Sequence, residues 1–355
     1  MKIGKIDLLI LSALLFTVGC FAVYQEMVLK PAVFWKGSGT ENDPFVIETP
    51  EQFLLIQHYP KSYFILANDL DFSSIPIESE HLIMNFGGTI DGKGHKISNL
   101  RGTRLSTIFK CSYYSPKLYN LGFENLILHG GQNPACIVSA SEVIFENVYV
   151  KNSTVNGSLA VVFSAYAHTT LKNCYAEGVS VSGNWAIGMC IVTTHMIRIE
   201  NCYFIGEING QSMSKTVHYE NSPYRQPIII NFYYHTPSVV EGEGTWKTLE
   251  EMKRIETFNF PIKKFEEFDN STPWFIRDGE DFPRLWFEHP MNQPTEPEPP
   301  IPPTEPPTPP PESPPSQSPT FIETRTLLMI LIIIAVLLIL WGISLEKLKS
   351  KGWKR

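Results

Sequence analysis

Acidic side chains at two places in the sequence are candidates for hydrolytic or eliminative chemistry. Asp69 and Asp71, in NDLDFS, are two residues apart and therefore lie on one side of a strand. Asp91 and His95, in IDGKGH, bring a carboxylate and a base together in a short segment. Glycoside hydrolysis uses two carboxylates roughly 5–10 Å apart, so a polysaccharide lyase or hydrolase is the enzymatic hypothesis. Asp-Gly and Lys-Gly pairs are also typical of turns, and we favour a turn for IDGKGH.

No other residue set in the sequence points to catalysis or to a bound metal. The nine histidines show no ligand spacing, and neither a CxxC pattern nor a Ser-His-Asp set is legible. Glu124 and Glu146 precede an asparagine in successive repeats and should point outward, where sharing a cation is the alternative to plain solvation. The net charge of -7 does not favour nucleic-acid binding. We therefore predict no catalytic residues, no metal, no cofactor and no enzymatic activity.

A repeat indicates which elements would position any functional groups. LKNCYAEG at 171–178 and IENCYFIG at 199–206 are nearly the same segment, and related segments surround four more asparagines. Successive asparagines are 26, 22, 26, 28 and 30 residues apart, a period typical of solenoids. The six asparagines that define the repeat are Asn99, Asn125, Asn147, Asn173, Asn201 and Asn231.

Apolar positions flank each of these asparagines, and their alternation slips by one residue there. Apolar residues stand two before, one after and mostly three after the asparagine, whereas an uninterrupted strand keeps a step of two. A corner explains the slip, because Asn tolerates left-handed backbone. The pattern predicts an all-β fold, a right-handed parallel β-helix of about six coils, with the six asparagines in one hydrogen-bonded ladder.

Short helices are predicted at both ends of the β-helix. Thr49 with Gln52, and Thr248 with Glu251, match the capping-box pattern that starts a helix. One helix therefore precedes the coils and one follows them, where they would cover the open edges of the solenoid.

A column of tyrosines is the candidate ligand-binding site. Each of these tyrosines stands two residues after a repeat asparagine, between inward-facing neighbours, and is predicted to point outward at a spacing of about 4.8 Å. An exposed aromatic stripe would pack against sugar rings. The structural alternative is a ladder that stabilises the sheet surface by roughly 0.2–1 kcal/mol per pair. The column consists of Tyr149, Tyr175, Tyr203 and Tyr233.

The cysteines occupy interior positions of the repeat. Cys174 and Cys202 share one column, and Cys136 and Cys190 share another. We expect them to be small apolar core residues with free thiols. Cys174 and Cys202 are the pair most able to form a disulfide, since an extracellular compartment would permit it.

The segments on either side of the repeat predict a protein held at a membrane. Residues 1–35 contain an uncharged apolar run typical of a signal peptide or signal anchor. Residues 36–289 are the β-helix ectodomain, and residues 290–325 form a proline-rich stalk. Residues 326–345 are uncharged and long enough to cross a bilayer as a helix, and the basic tail 346–355 is predicted to be cytoplasmic.

The ectodomain would then lie outside the cell, at the cell membrane. Asn-x-Ser/Thr sequons agree with this location, and they make Asn152, Asn156 and Asn270 tentative glycosylation sites.

Several ordered segments resemble the GLUG-motif family of surface and secreted β-helix proteins. GSGTENDPFVIETPEQFLLI with YFILANDLDFS resembles the opening of that family, FGGTIDGKGHKISNL its first coil, and the two NCY segments its repeats. EEMKRIETF with FIRDGEDFPRLWF resembles its closing segment. The sequence departs from the family at its Gly-Leu-x-Gly loop, which is reduced here to AIGM at 186–189.

The resemblance implies a cell surface and adhesion or attachment rather than one reaction. We therefore expect a membrane-anchored protein that presents an adhesive or glycan-binding solenoid. Its expected partners are the membrane and either a surface polysaccharide or another surface protein. A polysaccharide-degrading β-helix enzyme and a purely structural component of the cell envelope are the alternatives.

Overall fold

The computed structural model of the chain describes residues 36–166, 168–192, 196–219, 227–238 and 242–292. The predicted signal segment, stalk, membrane helix and basic tail lie outside these residues. Within the described part of the chain, no helix combines the length and the apolar character needed to cross a bilayer.

Twenty strands, β1–β20, wind into a parallel β-solenoid of about six turns, as the repeat predicted. The right-handed sense of the winding stays a prediction. Three more strands form a small separate sheet after the solenoid. The strands are β1 (Phe45–Ile47), β2 (Tyr63–Leu66), β3 (Leu70–Asp71), β4 (His81–Met84), β5 (Thr89–Asp91), β6 (Lys96–Ser98), β7 (Thr107–Cys111), β8 (Lys117–Glu124), β9 (Ile127–His129), β10 (Pro134–Ala140), β11 (Glu142–Lys151), β12 (Thr154–Val161), β13 (Ser164–Ala165), β14 (His168–Lys172), β15 (Tyr175–Ile187), β16 (Cys190–Val192), β17 (Ile197–Lys215), β18 (His218–Tyr219), β19 (Ile228–His235), β20 (Thr245–Trp246), β21 (Ile262–Lys264), β22 (Trp274–Ile276) and β23 (Arg284–Leu285).

Within the described residues, helices are few and short. Both predicted capping boxes are present, at Thr49 and at Thr248, so the two predicted helices are confirmed. The α-helices are α1 (Pro50–Leu54) and α2 (Leu249–Met252), and the 3-10 helices are Ile56–His58, Ile255–Thr257, Phe265–Glu267, Trp286–Glu288 and Pro290–Asn292.

The core forms because parallel pairing places like residues of successive coils above one another. Leu171 of β14 pairs with Phe145 of β11 on one side and with Ile199 of β17 on the other. All three side chains are fully buried. Removing such apolar columns from water stabilises the fold by about 25 cal/mol per Å² of surface.

The repeat asparagines form the predicted corners of the coils. All six have a positive φ, between 52 and 59°. Left-handed backbone costs an ordinary side chain roughly 1–2 kcal/mol, whereas Asn offsets this through its own hydrogen bonds. The phase slip in the sequence therefore identified real corners.

The asparagines stack in two ladders, however, and the prediction of one ladder is wrong. In the first ladder the Nδ2 group of Asn147 donates to Oδ1 of Asn120 at 2.8 Å. Asn173, Asn201 and Asn231 continue it, with Nδ2–Oδ1 distances of 3.0, 3.2 and 2.9 Å between successive rungs.

Asn99 and Asn125 belong to a second ladder, at the next corner of the coil. Their Nδ2–Oδ1 distance is 3.3 Å. Pairing of Lys151 with Glu124 extends this corner to Asn152, one coil further on. The physical reason for the wrong prediction is that each coil has two such corners, five residues apart. The short interval of 22 residues in the sequence marks the step from one corner to the other.

Each ladder begins at a carboxylate, which fixes the direction of its hydrogen bonds. Asn120 donates to Asp91 at 2.9 Å, and Asn99 donates to Asp71 at 2.8 Å. An ionised carboxylate only accepts hydrogen bonds. The amide nitrogen of the first asparagine must therefore face the carboxylate, and its oxygen is left to accept from the next rung.

The two α-helices have different surroundings, although both were predicted to cap the solenoid. Phe53 of α1 is fully buried and packs edge-on against Phe72 and Phe109 of the core. Met252 of α2 instead packs in a second apolar cluster, which contains Tyr233 and lies outside the core. Helix α2 is therefore part of a segment that covers the side of the solenoid. We call this segment, residues 249–292, the strap.

The cysteines that the structure describes are buried free thiols, as expected. Cys174 and Cys202 lie on neighbouring coils, and the backbone N–H of Cys174 points at Sγ of Cys202 at 3.4 Å. Burial raises the pKa of the Cys174 thiol well above its ordinary value, and the adjacent Cys202 raises it further. Both groups act as small core residues.

Candidate functional site

The four tyrosines of the candidate site lie in register on strands β11, β15, β17 and β19. Tyr149 pairs with Tyr175, Tyr175 with Tyr203, and Tyr203 with Tyr233. The rings of Tyr149 and Tyr175 are stacked with centroids 5.3 Å apart, and those of Tyr175 and Tyr203 are 4.7 Å apart. The rings belong to an apolar cluster that is separate from the core, so the column projects away from the inside of the solenoid.

The tyrosine column is nevertheless buried, and the prediction of an exposed stripe is wrong. Tyr175 and Tyr203 are 0% exposed, while Tyr149 and Tyr233 are 5% exposed. The physical reason is that the strap lies over them. In this structure the four tyrosines form an internal interface and have no surface on which a sugar ring could stack.

Aromatic residues of the strap lie directly against the column. The ring of Trp274 is 5.9 Å from the rings of both Tyr175 and Tyr203. Phe287 stacks on Tyr149 at 6.0 Å. At the last coil, two strap rings lie edge-on to Tyr233, Phe258 at 5.1 Å and Phe260 at 6.2 Å. Stacked and edge-on aromatic pairs each contribute about 0.5–1.5 kcal/mol beyond the burial of their area.

Each tyrosine hydroxyl takes part in a hydrogen bond. Burial raises the pKa of the phenols of Tyr149, Tyr175 and Tyr203, so they remain neutral donors. The bonds run from Tyr149 to Glu124 Oε1 at 2.8 Å, from Tyr175 to both Glu288 oxygens at 2.8 Å, from Tyr203 to the Pro283 carbonyl at 2.7 Å, and from the Asn259 N–H to the Tyr233 hydroxyl at 3.0 Å.

Charged pairs fasten the strap on the same side of the solenoid. Arg284 of the strap binds Glu177 of β15, and its guanidinium also contacts Asp281 at 2.9 Å. Glu288 of the strap binds Lys151 of β11. The side chains of the Arg284–Glu177 pair are only 15% and 21% exposed. Removing one partner of such a pair is costly, because the other charge stays buried without compensation.

Two of the carboxylates considered for catalysis have structural roles. Hydrogen bonds from Asn99 and Ser73 hold the pKa of Asp71 below its ordinary value. Asp91 accepts from the backbone N–H of Lys93 at 2.9 Å as well as from the first ladder. Lys93 has a positive φ of 52°, which confirms the turn predicted for IDGKGH.

The structure brings together Asp69 and His95, which the sequence placed in separate motifs. His95 Nδ1 lies 3.0 Å from Asp69 Oδ1, and the backbone N–H of Lys96 donates to the same oxygen at 3.2 Å. Burial opposes ionisation of Asp69, but the bonds from His95 and Lys96 outweigh it and lower the pKa of the carboxyl. Asp69 and His95 are 26 residues apart, about one repeat, which is the sequence signal that would have paired them.

Glu124 and Glu146 do not share a column, contrary to expectation. Glu124 pairs in the sheet with Lys151, whereas Glu146 pairs with Lys172. Lys172 Nζ also contacts Glu146 at 2.6 Å. Within the described residues, no three His, Cys, Asp or Glu side chains are grouped so as to hold a metal ion.

The three sequon asparagines lie at the surface. Asn152 follows the end of β11, Asn156 lies in β12, and Asn270 lies in the strap, and all three are exposed. Exposure of the acceptor amide is a requirement for glycosylation, and these positions meet it.

The chain is thus a parallel β-solenoid whose side is closed by a C-terminal strap. Comparison with known proteins adds little to this assignment of the fold. No family model and no curated protein matches the sequence. Among solved structures, the chain is similar to a Bacteroides ovatus protein provisionally described as an immunoglobulin A1 protease, with 17% identity and a TM-score of 0.35. The match covers 61% of this chain and 88% of the other, and similarity at this level says nothing about activity.

Proposed function

We propose that this protein is a non-enzymatic solenoid displayed at the cell surface, where it serves adhesion or attachment. One observation carries the proposal: two of the three candidate catalytic carboxylates are engaged in holding coils together. Asp71 and Asp91 each begin an asparagine ladder. Glu124, which the sequence analysis considered for sharing a cation, likewise accepts from Lys96 at 3.0 Å and from Tyr149 at 2.8 Å. A carboxylate that already accepts such bonds is poorly suited to bind and protonate a substrate.

The segments on either side of the solenoid support its location at the cell surface. In this proposal residues 1–35 direct export, residues 290–325 are the stalk, residues 326–345 cross the membrane, and the tail 346–355 lies in the cytoplasm. The resemblance to GLUG-motif proteins supports the same assignment. The partner is a surface polysaccharide or a surface protein. Because the strap covers the tyrosine column, the contact surface lies elsewhere on the solenoid.

Protease treatment of intact cells tests the topology. The proline-rich segment 290–325 is the accessible linker, so external protease should release residues 36–289 as a compact fragment and leave a tag on the tail intact. Permeabilised cells are the control, since the tag should be digested there. Digestion of the tag in intact cells, with residues 36–289 protected, would show that the orientation is opposite to the proposed one.

Binding measurements separate adhesion from a purely structural role in the envelope. Detergent-solubilised full-length chain is applied to a glycan array and to cells that lack the protein. Retention on one class of glycan, or on cells and not on glycans, supports adhesion and names the partner class. Absence of binding in both formats, with topology as proposed, supports the structural alternative.

The contact between Asp69 and His95 favours one second candidate, a polysaccharide-degrading enzyme. Asp69 is 55% exposed on its side chain and adjoins a buried His95, so substrate could reach the pair. Purified chain is incubated with acidic and neutral polysaccharides, and release of reducing ends or unsaturated products is measured. Turnover that disappears in Asp69→Asn and His95→Gln would establish the enzyme and refute the non-enzymatic proposal.

A further inference from the structure

The strap runs along the solenoid from its last coil back towards its earlier coils. Contacts made early in the strap involve the last coil, and contacts made late in the strap involve coils nearer the N-terminus. Near the end of the strap, Phe287 packs closely on Gly94. A Cβ added to this glycine would lie 2.7 Å from the Cβ of Phe287. In strap order, Asn259 contacts Tyr233, Pro283 contacts Tyr203, Arg284 contacts Glu177, and Glu288 contacts Tyr175 and Lys151.

The last coil is weakly held where the chain leaves the solenoid. Strand β19 pairs with β17 over most of its length. On its other side, among the described residues, it pairs with β20 through Tyr233 and Tyr234 alone. Tension applied directly to β19 would therefore break one row of hydrogen bonds at a time and unwind the solenoid coil by coil.

The strap changes where tension acts. A pull on the chain beyond Asn292 meets Glu288 and Arg284 before it can reach β19. These residues are fixed to β11 and β15, which belong to earlier coils. Aromatic packing of Trp274 on Tyr175 of β15 and on Tyr203 of β17 holds the middle of the strap to two neighbouring coils at once. The strap must be stripped from several coils before the last coil can begin to unwind.

We propose that the strap is a mechanical clamp, which spreads tension entering from the C-terminal side over four consecutive coils. The proposal rests on the proposed function, because sustained tension requires that the residues after the strap tether the solenoid. It explains why a segment rich in Phe and Trp packs on the side of the solenoid rather than on its open end. Four tyrosines in register give the strap one equivalent contact on each coil.

Single-molecule pulling on the full-length chain tests the clamp. One handle is attached to a tag at the C-terminus, and the other to Tyr113→Cys in a chain with Cys20→Ser. Tyr113 is 90% exposed, whereas the described native cysteines are buried, so this thiol is selectively labelled. Tension then passes through the strap and the later coils only.

The clamp predicts a high-force first rupture that releases more than one coil together. One coil contains 26–30 residues, as the spacing of the first ladder shows. Unwinding of a single coil would therefore lengthen the chain by about 90–110 Å. Arg284→Met removes the pair with Glu177, and the first event should move to lower force and shrink to single-coil steps.

Val148→Ala is the matched control. Val148 is fully buried in the core of β11 and is not part of the strap interface. If both variants lose similar stability in urea, only Arg284→Met should lower the first rupture force. Tyr203→Phe, which removes one strap hydrogen bond and keeps the ring, provides a milder strap variant that folds readily.

Two results would overturn the clamp. One is that wild-type chain unwinds in single-coil steps from the first event. The other is that strap and core variants of equal stability rupture at equal force. Neither result depends on where the protein resides in the cell, so failure of the clamp is distinguishable from failure of the proposed topology.

Discussion

Replacing Tyr203 with alanine should destabilise the protein strongly, because the side chain is fully buried between coil and strap. Its ring stacks on Tyr175 at 4.7 Å and lies 5.9 Å from Trp274, and its hydroxyl donates to Pro283 at 2.7 Å. Truncation of a buried aromatic residue to alanine costs about 3–5 kcal/mol. We expect a loss of about 4 kcal/mol, which lowers the Tm of a domain of this size by roughly 8–16 °C.

A milder substitution divides this loss into its parts. Tyr203→Phe keeps the ring and the stacking but leaves the Pro283 carbonyl without its donor. An unsatisfied buried acceptor costs about 1–3 kcal/mol, so Tm should fall by roughly 2–12 °C. Tyr113→Ala is the control, since this ring is 90% exposed and a surface substitution changes stability by about 0.5 kcal/mol or less.

Thermal unfolding followed by tyrosine and tryptophan fluorescence measures all three variants, and urea titration checks the order. The reasoning predicts that Tyr203→Ala loses most, Tyr203→Phe less and Tyr113→Ala least. If Tyr203→Ala moves Tm no further than Tyr113→Ala does, the strap does not cover the column in solution. The exposed aromatic stripe would then be restored as a candidate binding surface.

Three further predictions concern the ladders and the thiols. Asn173→Ala should lower the free energy of unfolding by about 2–4 kcal/mol, and Asn173→Gly should lower it by about 1–2 kcal/mol. Both variants lose the ladder amide, but only alanine is strained at a φ of 52°. Equal losses in urea titration would refute the corner argument. Asn99 lowers the pKa of Asp71 in the folded state, so this carboxylate should add stability that is complete above its unfolded pKa of about 3.9. That stability should be lost as pH falls through the lower folded pKa. Asp71→Asn should remove this part of the acid dependence of unfolding, and an unchanged pH profile would contradict the prediction. Native protein should protect Cys174 and Cys202 from iodoacetamide, and urea should expose them, as read by mass spectrometry; rapid labelling without urea would show that the core is open.

Local patterns in the sequence were sufficient for the elements of the fold. Alternation of apolar residues located the strands, and the slip at each asparagine located the corners, because side-chain direction and left-handed backbone depend on a few neighbouring residues. Thr49 and Thr248 located both helices for the same reason, since a capping box is complete within four residues.

Pairing between coils was harder to predict, because it depends on register. Asn125 and Asn147 looked equivalent in their local sequence, yet they occupy different corners and different ladders. The contact between Asp69 and His95 has the same origin. The length of one coil, rather than any short motif, places the two residues on adjacent coils. Two spacings in the sequence reflect these pairings: 22 residues from Asn125 to Asn147, and 26 residues from Asp69 to His95. They can be interpreted only after the path of one coil is known.

The sequence by itself determined that the tyrosine column points away from the core, and only the tertiary structure decided what lies over it. Alternation specifies inside and outside relative to the coil, but it carries no information about a segment that returns from far along the chain. Tyr175 and Glu288 are separated by 113 residues. The apolar residues of the strap show that it must be buried somewhere, whereas its place follows from matching stacked tyrosines, Glu177 and Lys151 to Trp274, Arg284 and Glu288. That match exists only in the folded protein, which is why a surface predicted to bind a ligand is the interface that closes the solenoid.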